Sequence, residues 1–243
     1  GMLRKTGEAI IDRWHEPDEG IWEIRAEPRQ HTYSKLMCWA ALDRLARLHD
    51  HGDIIIPKER FQREANRIRE VVLTEGYNRD LGAFVSVLGG DKMDASLLLM
   101  AEFGFLDPND PRMIRTHELI LEKLGDGVLL RRYEPHADDG LPGEEGAFGI
   151  CSFWDDEYLA RRGLAEEAVH RFETMLGYAN DLGLYAEQLD PETGAHLGNF
   201  PQAFTHIGLI NTLLVIAHET GERPAPEVKD KFTSESEENG RIA

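Results

Sequence analysis

The chain has 243 residues, with 45 Asp or Glu against 27 Lys or Arg, a formal charge of −18, and an apolar fraction of 41%. That length holds one sizeable domain or at most two small ones. The acidic balance excludes nucleic acid and anionic membrane as partners, leaves a neutral ligand such as a sugar open, and no apolar run approaches the ~20 residues of a membrane span. The opening Gly1-Met2-Leu3-Arg4-Lys5 does not lead into a signal-peptide core. Cys38 and Cys151 each sit inside an apolar stretch without a Cys-x-x-Cys partner, so a reducing, cytoplasmic setting is expected.

Strand signals are nearly absent, and apolar residues recur at helical spacing. In chain order, helices are predicted over Met2–Trp14, Ser34–Leu48, Pro57–Thr74, Asp94–Ala101, Pro111–Leu124, Ala147–Arg161, Leu164–Asn180 and Gln202–Thr220. Ser34 is placed to cap the second, and Pro57 suits the start of the third. The segments at 34–48, 94–101, 147–161 and 202–220 are apolar nearly all round, which predicts buried helices; those at 57–74, 111–124 and 164–180 carry a charged face. Alternation of the two kinds predicts antiparallel pairs in two concentric layers, an α/α toroid or a pile of αα-hairpins. Residues 1–221 would form this domain. Residues 222–243, polar and acidic, are expected to be an extended end.

Long loops rich in Gly, Pro and Asp join the pairs: Glu16–Tyr33, Phe103–Asp110, Gly125–Gly146 and Asp181–Pro201. Loops beyond about 12–15 residues are uncommon in compact domains and usually functional. With strict up-down topology the first, third and fourth emerge on one rim, the candidate active face.

The first loop holds Trp22 beside Glu23, then Arg25. An indole face stacks on the apolar side of a pyranose, and an apolar neighbour favours the neutral form of a carboxyl, as a general acid requires. Arg25 can hold sugar hydroxyls. Taken alone, the segment reads first as a surface loop anchored by a Trp. The third loop offers Arg132, Tyr133, Asp138, Asp139, Glu144 and Glu145. It reads as a solvated acidic loop, or as a sugar site built from Arg132, Tyr133 and one carboxylate, for which Glu145 is the candidate; calcium ligation lacks the EF-hand spacing. The fourth carries Glu187 between apolar neighbours, a place for a carboxylate that holds a water or for one that stabilises a turn. The histidines show no zinc-ligand spacing, and His31, His117, His206 and His218 read as hydrogen-bonding core or rim groups.

These residues carry a resemblance. The segments Pro17–Arg25, Ser34–Trp39, Ala41–Arg44, Met93–Ser96, Gly104–Leu106, Asp110–Arg112, Arg132-Tyr133, Asp139–Leu141, Glu145–Phe148, Cys151–Trp154, Gly183-Leu184, Ala186-Glu187 and Gly198–Phe204, in that order over roughly residues 10–220, resemble glycoside hydrolase family 15, the glucoamylases, glucodextranases and bacterial-type trehalases. The resemblance implies an all-α (α/α)6 barrel, here partial with about eight of twelve helices, and inverting hydrolysis of terminal α-glucosidic bonds in an oligo- or polysaccharide or in trehalose. It implies Glu23 as general acid, Glu187 as general base, Arg132 and Tyr133 as substrate contacts, Trp22 as an aromatic wall of the sugar pocket, and Phe148 near a Trp of fungal members. No cofactor or metal is implied. Family members usually carry a β-sandwich and further helices before the Trp-Glu loop, so an amino-terminal portion or a second copy completing the barrel is an expectation. The alternatives are a sugar-binding member without turnover and a helical scaffold that spreads these loops apart.

Overall fold

The computed structural model describes residues 1–134 and 145–221. The acidic residues Asp138, Asp139 and Glu144, and the predicted tail 222–243, lie outside the described residues. Eight α-helices are described: α1 (Met2–Arg13), α2 (Thr32–Asp50), α3 (Lys58–Glu75), α4 (Leu99–Glu102), α5 (Pro111–Leu124), α6 (Gly149–Arg161), α7 (Ala165–Leu176) and α8 (Ala203–Glu219). A 3-10 turn, Ala95–Leu98, leads into α4. All eight predicted segments are helical, with ends within a few residues, except that the seventh stops at Leu176.

Local chemistry accounts for several boundaries. Asp110 caps α5, its carboxylate accepting from the Arg112 amide at 2.9 Å, and Pro111 fills the first helical position where its missing N–H costs nothing. Asp94 caps the 3-10 turn through the Ser96 amide at 2.8 Å. The Ser34 cap is a correction: α2 begins one turn earlier, with His31 at its N-cap, and the Ser34 hydroxyl instead donates to Asp18 at 2.6 Å. The chain enters α2 from an isolated bridge between His31 and Val87, which sets the start before Ser34 can.

The helices form an arc of two layers. α2, α4, α6 and α8 follow one another along the inner side; α1 and α3 pack on α2, α5 packs on the turn before α4, and α7 packs on α6 and α8. This is the arrangement expected of a partial (α/α)6 toroid. One buried cluster runs through α2, α3, α4 and α5, including Leu36, Leu42, Phe61, Ile68, Met100 and Ile120; a second joins α6, α7 and α8 through Phe153, Ala168, Met175, Tyr185 and Ile216. Each such Leu, Ile, Phe or Met side chain stabilises the fold by about 1.5–3 kcal/mol.

One feature was not foreseen and one expectation needs correction. Seven two-residue strands are described: β1 (Tyr77–Asn78) with β2 (Ala83–Phe84), β3 (Gly125–Asp126) with β4 (Leu129–Leu130), and a three-stranded antiparallel set in which β5 (Ala147–Phe148) pairs with β6 (Gln188–Leu189), itself paired with β7 (His196–Leu197). Strands this short carry no alternation for a sequence to display. Secondly, α8 is not a buried helix. Thr205, Gly208, Thr212 and Ile216 face α6, whereas Phe204 is 63% exposed, Ile210 is 54% exposed, and Ile207, Leu213 and Leu214 are exposed beside them. Among the described residues α8 packs chiefly against α6 and α7, which cover one side of it.

α1 docks through Gly7, where a Cβ would meet Leu45 Cδ1 at 2.8 Å and overlap the ring of Phe61 outright. Phe61 is fully buried, so its ring cannot turn aside into solvent. Gly7→Ala is therefore expected to destabilise by about 1–2 kcal/mol, overpacking outweighing the better helix propensity of Ala. A urea unfolding midpoint that stays put or rises would show that α1 can lift off without cost.

Candidate active site

The loop after α1 is pinned before it reaches its tip. Asp18 and Arg29 exchange both backbone hydrogen bonds at 2.8 Å, closing the loop as a narrow hairpin. Buried Lys35, on α2, donates its Nζ to the Glu16 carbonyl at 2.8 Å and stands 3.8 Å from Asp18. Burial pushes the Lys35 ammonium below its ordinary range, and the Asp18 carboxylate opposes that shift. At the tip Glu23 has φ +49°, a left-handed conformation that non-glycine residues adopt rarely and that clusters at functional sites. Glu23 is exposed, and Trp22 before it is half-buried.

Trp22 anchors the site. Its indole Nε1 donates to Asp94 Oδ2 at 2.9 Å, across 72 positions of sequence. Its ring meets Phe148 edge-on at 5.4 Å between centroids and Trp154 at 6.0 Å. Asp94 is 4% exposed. Burial pushes its carboxyl upward, and hydrogen bonds from Ser96, Trp22 and Ser86 pull it back. Those donors make the buried acid affordable and hold the indole in one orientation.

Arg132 closes the third side. Its guanidinium lies over the rings of Trp22 at 5.7 Å, Tyr133 at 5.0 Å and Phe148 at 5.3 Å. It pairs bidentately with Glu145, through Nε to Oε2 at 2.8 Å and through Nη2 to Oε1. Tyr133 is buried and bridges in antiparallel register to Asp94, and the Ala95 amide donates to the Arg132 carbonyl at 2.8 Å. Arg132 and Tyr133 are thereby fixed to the same turn that holds Trp22.

The fourth loop joins through β5. Phe148 faces Gln188 in the strand pairing, and the Gly149 amide donates to the Glu187 carbonyl at 2.9 Å. Glu187 is half-buried. Its Oε2 accepts from the Asn199 amide and from Asn199 Nδ2, each at 3.2 Å, and its Oε1 accepts from Gln202 Nε2 at 3.2 Å.

Of the residues expected from sequence, Trp22, Arg132, Tyr133, Glu145 and Phe148 thus share one connected cluster. Glu23 adjoins it through Trp22, and Glu187 through the strand that carries Phe148. Arg25 stands exposed, and none of the cluster's bonds runs to it. Asp94, Trp154, Asn199 and Gln202 were not foreseen as site residues, although each lies in a segment that carries the resemblance. Asp94 before Ala-Ser signals a cap, and nothing local marks it as the acceptor for a distant indole. Among the described residues no three His, Cys, Asp or Glu side chains converge as a metal ion would need, and no helix is long and apolar enough to cross a membrane.

Comparison with known proteins bears on this arrangement. The sequence profile of glycosyl hydrolases family 15 matches residues 3–214. A trehalase of Mycobacterium tuberculosis is 44% identical over 214 residues, covering 88% of this chain and 31% of that protein. A trehalase of Thermoplasma acidophilum is 39% identical over 222 residues, covering 90% of this chain and 36% of that protein. The chain therefore spans about a third of the length of these relatives. Among solved structures, a glycosidase superposes with a TM-score of 0.71 at 22% identity, over 88% of this chain and 58% of that one. A bacterial glucoamylase complexed with acarbose superposes with a TM-score of 0.70 at 14% identity, over 91% and 38%.

Proposed function

The chain belongs to the glycosyl hydrolases of family 15, and on that premise we propose that it carries the acid and base of an inverting α-glucosidase whose substrate is trehalose or a related α-glucoside. Glu23 is the general acid and Glu187 the general base. The observation that carries the reading is the joint at Phe148: its ring abuts Trp22, next to Glu23, while its backbone pairs with Gln188, next to Glu187. Two glutamates from loops far apart in sequence so lie one residue away from the contacts of a single aromatic, cationic wall, which supports the reading. Trehalose enters the proposal through the two trehalases named above.

In the proposed reaction a glucose ring packs on Trp22, with Arg132 and Tyr133 reaching its hydroxyls. Glu145 keeps the Arg132 guanidinium in place. Protonated Glu23 gives its proton to the glycosidic oxygen as the C–O bond breaks. Glu187, ionised, takes a proton from water on the opposite face as that water attacks the anomeric carbon. The transition state resembles an oxocarbenium ion, and the carboxyl groups of inverting enzymes stand about 6.5–9.5 Å apart to admit the water.

Inversion has a direct readout. Early in the hydrolysis of α,α-trehalose, proton NMR should show β-glucose from the attacked ring and α-glucose from the departing one in equal amounts. A retaining mechanism would give the α-anomer alone. Binding of trehalose and maltose without release of glucose would leave a sugar-binding protein and end the hydrolase reading.

A further inference from the structure

Asn199 and Gln202 do more than terminate a loop. Glu187 receives three hydrogen bonds from this pair and uses both of its oxygens in accepting them. All three donors are amide N–H groups, which give hydrogen bonds to the carboxylate and accept none from it. Gln202 is itself held: its amide donates to the Tyr185 carbonyl at 2.9 Å, and its side-chain oxygen caps α8 through the Phe204 amide. Gly198, at φ +71°, leaves the room the arrangement needs, since a Cβ there would stand 2.6 Å from Glu187 Oε2.

We propose that Asn199 and Gln202 are positioning residues that clamp the Glu187 carboxylate in the water-facing orientation of a general base, with Gly198 left bare so that the carboxylate can lie flat against the turn. The clamp rests on the assignment of Glu187 as base. Donors on both oxygens fix the plane of the carboxyl group and the direction its free lone pair faces. A misplacement of about 1 Å in such a group costs on the order of 10²-fold in rate.

Gln202→Ser separates the clamp from the helix cap, because a serine hydroxyl still caps α8 yet is too short to reach Glu187. In the full chain assayed on trehalose, Gln202→Ser and Asn199→Ala should each lower kcat about 10–100-fold with KM within about 2-fold, and unfold at the wild-type temperature. Gln202→Glu, which sets a second carboxyl against the first in place of a donor, should lower kcat at least as far as Gln202→Ser. Gly198→Ala should lose kcat like the clamp variants. An unchanged kcat in these variants, beside a dead Glu187→Gln, would overturn the clamp alone; full turnover in Glu187→Gln would remove the base assignment first. A second readout needs no turnover. The carboxyl 13C resonance that disappears in Glu187→Gln should shift in Gln202→Ser and Asn199→Ala, and a resonance that stays in place overturns the clamp in an active or an inactive chain.

Discussion

Glu23→Gln and Glu187→Gln should each lower kcat on trehalose by about 10²–10⁴-fold, the range that a positioned acid or base contributes. The two losses differ in kind. A leaving group that departs without protonation, as in α-glucosyl fluoride, bypasses the acid, so Glu23→Gln should recover much of its rate on that substrate. Glu187→Gln should not, because the attacking water still lacks its base. Recovery by Glu187→Gln in place of Glu23→Gln would reverse the assigned roles. Near-normal turnover of trehalose by either variant would remove that carboxyl from the chemistry.

The largest stability effect is expected away from the site, where α5, α6 and α7 meet. Arg171 pairs through Nη2 with Asp155 Oδ2 and through Nε with Asp156 Oδ1 at 3.3 Å, and donates to the Gly127 carbonyl at 3.3 Å. His117 Nε2 lies 2.6 Å from Asp155 Oδ1. Both aspartates are fully buried. Arg171→Met keeps the bulk and removes the charge that both carboxyls share. Breaking a buried pair from one side costs about 3–5 kcal/mol, because an uncompensated charge stays behind. For a domain of this size that is roughly 6–20 °C in Tm. A loss below about 1 kcal/mol in urea unfolding would mean that water or protonation neutralises the pair without difficulty.

The same cluster predicts a pH dependence. Burial, and then the neighbouring Asp155 charge, push the Asp156 carboxyl up to about 8, while Arg171 pulls it down. Its Oδ2 has no hydrogen-bond partner among the described residues. An acid whose folded value lies above its unfolded one binds its proton more tightly when folded. Its stabilising contribution is complete below the ordinary aspartate range near pH 4 and is lost progressively as the pH rises to about 8. Asp156→Asn imitates the protonated form, so its stability relative to wild type should improve steadily across that window and level off above it. Glu102, pushed to about 7 chiefly by burial, titrates within the same range, which is why the difference between the two proteins is the quantity to measure. A constant difference from pH 4 to 9 would place Asp156 in its charged form throughout.

The amino-acid sequence by itself determined the helices. Their apolar spacing acts within a few residues of chain, so α5 was legible to the residue and the alternation of inner and outer helices foretold the two layers. It also marked Trp22, Glu23, Arg132, Tyr133 and Glu187, because chemically distinctive residues stood in long loops in a recognisable order. Only the tertiary structure decided what depends on partners. The Trp22–Asp94 bond spans 72 positions, and the Glu187 clamp forms only when the chain turns back at Gly198. α6, read as apolar nearly all round, buries Asp155, Asp156 and Glu157 because Arg171, His117 and Arg161 meet them there. α8, with a similar pattern, is half open among the described residues, because α6 and α7 pack on one side of it. Hydrophobic periodicity reports which face prefers to leave water; whether a neighbour arrives to cover it, or a counter-charge to neutralise it, is settled by contacts between segments that the local pattern does not encode.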